Sequence, residues 1–216
     1  MTRLSGPRRP AISGRDRQLI VFLHGYGADG NDLMGLAEPL APIFPFAGFL
    51  APHAPHPVPG MPGGRRWFPI PRLDGESAQA AAAGLAAARA DLDAFLDDQA
   101  AEVPAAATVV IGFSQGTMLA LHTLLRRTQP VAGIVGFSGA LLNPAELIPT
   151  VTPEVLLVHG DADPMVAPES MPTAARELRR HGLQVSTHTS RGLGHGIAPD
   201  GLAQAVEFLR RVLPAA

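Results

Sequence analysis

Apolar runs of strand length alternate with stretches of helical periodicity along nearly the whole chain. Residues 18–23 (Gln-Leu-Ile-Val-Phe-Leu) read as a buried strand, and residues 47–51, 108–111, 131–137, 155–158 and 183–188 supply five more. Between them the apolar positions switch to helical spacing. Asn31-Asp32 can cap a short helix carrying Leu33, Leu36 and Leu40. Leu85, Leu92, Phe95 and Leu96 share one face of an alanine-rich helix over residues 77–99. Further helices are predicted over 115–127, 169–181 and 199–213, the last carrying Leu202, Val206, Phe208, Leu209 and Val212. Strands that alternate with helices predict an α/β fold, a doubly wound and mostly parallel sheet with both faces covered.

The remaining segments lack periodicity. Residues 1–16 are polar and proline-bearing and are expected to form a loosely held arm. Residues 52–76 carry Pro52, Pro55, Pro57, Pro59, Pro62, Pro69 and Pro71 and the sole tryptophan, Trp67, beside Phe68. A structureless loop this long is more often functional than filler, so it is read as substrate-facing. Residues 138–153 form a second loop. The gaps between strands are too short for a separate cap, and residues 1–216 are expected to form one domain.

Composition narrows the function classes. With 46% hydrophobic and 17% charged residues the chain should fold, and a net charge of −2 offers no basic surface for nucleic acid. Cysteine is absent, which removes disulfides, thiolate metal sites and cysteine nucleophiles and fits a cytoplasmic compartment. No apolar run approaches the ~20 residues of a membrane span. Arg8-Arg9 is followed by Pro10 rather than an apolar core, so no targeting signal is expected.

Gly112-Phe113-Ser114-Gln115-Gly116 joins a predicted strand to a predicted helix and reads G-x-S-x-G, a nucleophile elbow. The turn would present the Ser114 hydroxyl at the carboxyl end of the sheet, beside the free N–H groups of a helix N-terminus. A serine hydroxyl needs a base, and the base needs a partner that fixes its tautomer. Where the serine sits on such a strand-to-helix elbow, the acid and then the histidine follow it along the chain. His195 lies after the last strand with glycine on both sides. His122 and His181 fall in or at the end of helices, His188 ends a strand, and His159 would pack behind the acid loop. His53 and His56 precede Ser114. Asp161 and Asp163 share one turn. Asp163 is favoured because the proline after it restricts its backbone, with Asp161 as the alternative. An oxyanion would be held by the N–H of Gln115 and by a second N–H from the first strand end, assigned to Leu23. Trp67, Phe68 and Met165 are the candidate substrate contacts. This chemistry requires no metal and no cofactor. A non-catalytic binding module on the same fold is the alternative class.

These stretches carry a resemblance. Phe22-Leu23-His24-Gly25-Tyr26-Gly27, Ala51-Pro52-His53-Ala54-Pro55, Trp67-Phe68, Gly112–Gly116, His159-Gly160-Asp161-Ala162-Asp163-Pro164 and Gly194-His195-Gly196 occur here in order. From Leu19 onward the chain resembles the carboxylesterase/phospholipase family of alpha/beta hydrolases, which includes acyl-protein thioesterases. The chain departs from the family pattern at Thr117, where a glycine is common, and at Pro69, where an aspartate is common. The resemblance implies the alpha/beta hydrolase fold, a Ser114–Asp163–His195 triad and an oxyanion hole from Leu23 and Gln115. The expected activity is hydrolysis of carboxylic esters of short to medium acyl chains, with thioesters or lysophospholipids as the alternatives within the family, and the resemblance further implies a homodimer.

Overall fold

A computed structural model describes residues 2–215. Its centre is a seven-stranded sheet. The strands are β1 (Arg8–Arg9), β2 (Gln18–Leu23), β3 (Ala47–Leu50), β6 (Thr108–Phe113), β7 (Gly133–Phe137), β8 (Glu154–Gly160) and β9 (Val185–Ser190), in the order β1-β3-β2-β6-β7-β8-β9. All neighbours are parallel except β1, which runs antiparallel to β3. The six predicted strands are all present.

The central strands are buried on both faces, which is why they read as continuous apolar runs rather than alternating ones. Successive side chains point to opposite faces. Leu19, Val21 and Leu23 join one apolar cluster, and Ile20 and Phe22 join the other. The first face is covered by α4 (Ala78–Ala100), α5 (Gln115–Leu124) and α6 (Ser170–Arg180). The second is covered by α1 (Gly30–Met34), α2 (Ala37–Leu40) and α7 (Pro199–Val212). Ser77 caps α4 by accepting the Ala80 N–H at 3.1 Å, and Leu85, Ala88, Leu92, Phe95 and Leu96 form its buried stripe.

Two expectations are corrected. The arm at residues 1–16 is tied down rather than loose. Arg8 and Arg9 pair with Leu50 and Phe49, the N–H groups of Ala51 and His53 donate to Pro7 and Ser5, and Leu4 and Ala11 are buried. Backbone hydrogen bonding covers the sheet edge here, so no apolar pattern announces it. Residues 52–76 are not structureless either. β4 (His56–Val58) and β5 (Met61–Arg66) form a hairpin that turns at Pro59-Gly60, and the single-turn helix α3 (Pro71–Asp74) follows. Among the described residues this excursion is the longest between elements, and no separate cap is inserted.

His122, in α5, is half-buried, and its Nδ1 is buried without a partner among the described residues. Burial, with the Arg126 and Arg89 cations nearby, pushes its pKa down to about 4. The native state therefore resists a proton that the unfolded chain takes up at ~6.5. Its cost to stability is absent above that pH and grows as pH falls toward 4. Thermal unfolding at pH 7 and pH 4.5 is expected to show a larger drop in Tm for the wild type than for His122→Gln, by roughly 3–6 °C. Equal drops would contradict this.

Candidate active site

The carboxyl ends of β2, β6, β8 and β9 bring the candidate residues together. β6 ends in Ser114, whose φ of 53° and ψ of −115° lie outside the regions favoured by residues bearing a Cβ. The turn is held from both sides. The Ser114 N–H donates to the Phe137 carbonyl at 2.9 Å, and the Ser114 carbonyl accepts the Met118 N–H at 3.1 Å. Gly116 is required by close approach, since a Cβ there would sit 1.9 Å from the Leu23 carbonyl oxygen. Thr117 is accommodated because Gly139 leaves room for its methyl group. Its hydroxyl donates to the Phe137 carbonyl at 2.9 Å.

β8 delivers the acid and β9 the histidine. His195 Nδ1 lies 2.7 Å from Asp163 Oδ2. Asp163 Oδ1 accepts the N–H groups of Met165 at 2.8 Å and Val166 at 3.0 Å. Burial pushes this carboxyl up, but the hydrogen bonds from His195, Val166 and Met165 more than offset it, so it sits below the usual carboxylate range. Asp161 is engaged elsewhere, accepting the Gly192 N–H at 2.6 Å. The His195 ring rests on Phe113, with centroids 4.9 Å apart, which seats it beside the elbow. No hydrogen bond joins the Ser114 hydroxyl to the ring in this structure.

Three groups support the site, one of them, His159, where the sequence placed it. His159 is buried, and its Nε2 lies 3.0 Å from the Val166 carbonyl and 3.2 Å from Asp163 Oδ2, so it braces the acid from behind. The Gln115 side chain accepts the Trp67 N–H at 2.9 Å and donates to the Phe68 carbonyl at 2.8 Å, which clamps residues 67–68 to the elbow. The Ser138 hydroxyl donates to the Gly196 carbonyl at 3.3 Å and ties β7 to the histidine loop. His159 thus packs behind the acid loop, as its place in the sequence implied, whereas the Gln115 and Ser138 pairings go to backbone groups, which carry no signal in a sequence.

Trp67 as a substrate contact is corrected. It is fully buried, its indole N–H donates to the His24 carbonyl at 2.9 Å, and its ring packs on the His24 ring. It anchors the loop and does not face a ligand. Both ring nitrogens of His24 are engaged, by the Gly25 carbonyl and the Ala54 N–H, and burial holds its pKa below the ordinary histidine value. Phe68 does line an open groove of about 380 Å³ with Ile70, Leu85, Met118 and Leu142. Met165 is exposed beside the acid, and its carbonyl accepts from Arg72 at 3.1 Å.

Leu23 as an oxyanion donor is also corrected. The N–H of Ser114 points to β7, so by alternation the backbone groups of Ile111 and Phe113 face β2. Leu23, opposite Gly112, spends its N–H inside that ladder. Three residues later the chain has left the sheet. A Cβ on Gly25 would lie 3.4 Å from the Ser114 Cβ, and the following N–H, of Tyr26, has no acceptor among the described residues. The Tyr26 hydroxyl donates to Asp74, which also pairs with Arg66 at 2.7 Å. Burial and the Asp74 charge push the phenol up to about 12, so it stays a donor.

The sequence model of the phospholipase/carboxylesterase family matches residues 11–213. Esterase YpfH of Escherichia coli (strain K12) is 26% identical over 211 residues, covering 98% of this chain and 88% of its own. Acyl-protein thioesterase 1 of Mycosarcoma maydis is 31% identical over 220 residues, covering 91% of each chain. The crystal structure of esterase PE8 aligns with a TM-score of 0.92 at 44% identity, over 98% of this chain and all of that one.

Proposed function

The chain belongs to the phospholipase/carboxylesterase family, and from that premise we propose that it hydrolyses carboxylic esters or thioesters with Ser114 as nucleophile, His195 as base and Asp163 as orienting acid. The observation that carries this reading is the hydrogen bond from the Ser114-adjacent His195 ring to the ionised Asp163. With Nδ1–H held by the carboxylate, Nε2 is left unprotonated and free to take the serine proton.

Ser114 Oγ attacks the carbonyl carbon as its proton passes to His195. The tetrahedral oxyanion is met by the N–H of Gln115, at the first turn of α5, and by that of Tyr26, each donor contributing about 3 kcal/mol to the transition state. Water, activated by the same histidine, then releases the acid from the acyl-enzyme. Thioesters fit the same machinery, and the acyl-protein thioesterase relative supports that substrate class.

The groove lined by Phe68, Leu85 and Met118 suits the acyl group. Its volume of about 380 Å³ lies near the lower end of the ~300–1,000 Å³ common for small-ligand sites. Short to medium acyl chains are therefore expected. Hydrolysis of p-nitrophenyl acetate, butyrate, octanoate and laurate tests this. kcat/KM should peak at butyrate or octanoate and fall roughly tenfold or more at laurate. A monotonic rise to laurate would overturn the chain-length reading.

A further inference from the structure

A second open groove, of about 450 Å³, lies on the opposite face of the sheet from the one holding Phe68 and Met118. It is lined by Asp32, Leu33, Gly35, Leu36, Phe113 and Ile197. Phe113, Leu36 and Ile197 pack against the α1/α7 apolar cluster, whereas Phe68, Leu85 and Met118 belong to the α4/α5 cluster. Ser114 sits where β6 ends between the two. His195 is on the second-groove side, since its ring rests on Phe113 and Ile197 follows it by two residues.

The direction of proton transfer decides which half of a substrate each groove takes. As the tetrahedral intermediate collapses, the ester C–O bond breaks, the acyl group stays on Ser114 Oγ, and the electron pair goes to the leaving oxygen. The proton His195 took from Ser114 is delivered to that oxygen, releasing a neutral alcohol. The leaving oxygen must therefore lie within hydrogen-bond reach of His195, and its substituent extends into the groove on that side.

We infer that the Leu33–Leu36–Phe113–Ile197 groove is the alcohol subsite, and that it makes the protein an esterase for bulky, apolar, uncharged alcohols. Its one charged lining residue, Asp32, disfavours anionic leaving groups by like-charge repulsion. The inference rests on the proposed roles of Ser114 and His195.

The test uses ethyl acetate, cyclohexylmethyl acetate and ethyl octanoate, whose alcohols have similar basicity. Gly35→Phe adds bulk to the groove at a position with right-handed helical φ and ψ, where a Cβ meets nothing within 4 Å. Ile197→Trp narrows the groove from its other wall. In both variants the ratio of kcat/KM for cyclohexylmethyl acetate to that for ethyl acetate should fall at least tenfold, while the ratio of ethyl octanoate to ethyl acetate stays within about twofold. A fall in the octanoate ratio instead would assign the groove to the acyl chain. No change in either ratio would leave it unused, and both results overturn the inference. Activity that survives Ser114→Ala would overturn the underlying reading separately.

Discussion

Ser114→Ala is expected to lower kcat for ester hydrolysis roughly a million-fold, the scale seen when a triad nucleophile is removed. Substrate binding should be retained, because the Gln115 and Tyr26 N–H groups and both grooves are untouched. Alanine must adopt the same left-handed φ of 53°, so the strain of the elbow is common to both proteins and Tm should change little. The hydrogen bonds that hold the elbow run through the backbone of residue 114 and not its hydroxyl. Steady-state kinetics with p-nitrophenyl butyrate, alongside thermal unfolding, check both halves. A loss below about a hundredfold would point to a different nucleophile.

Asp163→Asn is expected to cost about 10,000-fold in kcat with KM nearly unchanged. Oδ1 accepts two backbone N–H groups, from Met165 and Val166, so the asparagine carbonyl oxygen is driven to that position. Its NH₂ then faces His195 Nδ1, where the carboxylate oxygen now lies at 2.7 Å. The ring must answer by accepting at Nδ1 and carrying its proton on Nε2, which cannot then take the serine proton. Packing is conserved, so the loss reflects a tautomer and not a collapsed site. The same change at Asp161, whose side chain accepts the Gly192 N–H and, among the described residues, no other, should cost less than tenfold. Similar losses at both positions would contradict the assignment of the acid.

Much of this arrangement can be read in the chain because its signals are local. A strand buried on both faces must be apolar almost throughout, as β2, β3, β6 and β7 are, whereas the edge strand β9 reads Val-Ser-Thr-His-Thr-Ser and is largely half-buried or exposed. The elbow is legible because Gly116 leaves no room for a Cβ beside the Leu23 carbonyl, a demand only one residue type meets. Groups whose role depends on distant partners were less legible. Trp67 signals a large apolar contact without its direction, and the loop turns it inward onto His24. The Leu23 N–H is excluded by ladder parity, which β7 sets through its bond to Ser114, and the Tyr26 N–H is left open because the chain has left the sheet by then, and neither fact shows in residue type. The β1 edge strand and the β4–β5 hairpin are built from backbone pairing around arginines, prolines and glycines, which read as loop.

Covalent labelling tests the central claim most directly. Wild-type protein treated with a fluorophosphonate and analysed by peptide mass spectrometry should carry one adduct, on Ser114. The rate of labelling should fall at least a hundredfold in His195→Gln, because the hydroxyl then lacks its base. Labelling at another residue, or equal rates with and without His195, would contradict the assignment of Ser114 and His195 as nucleophile and base.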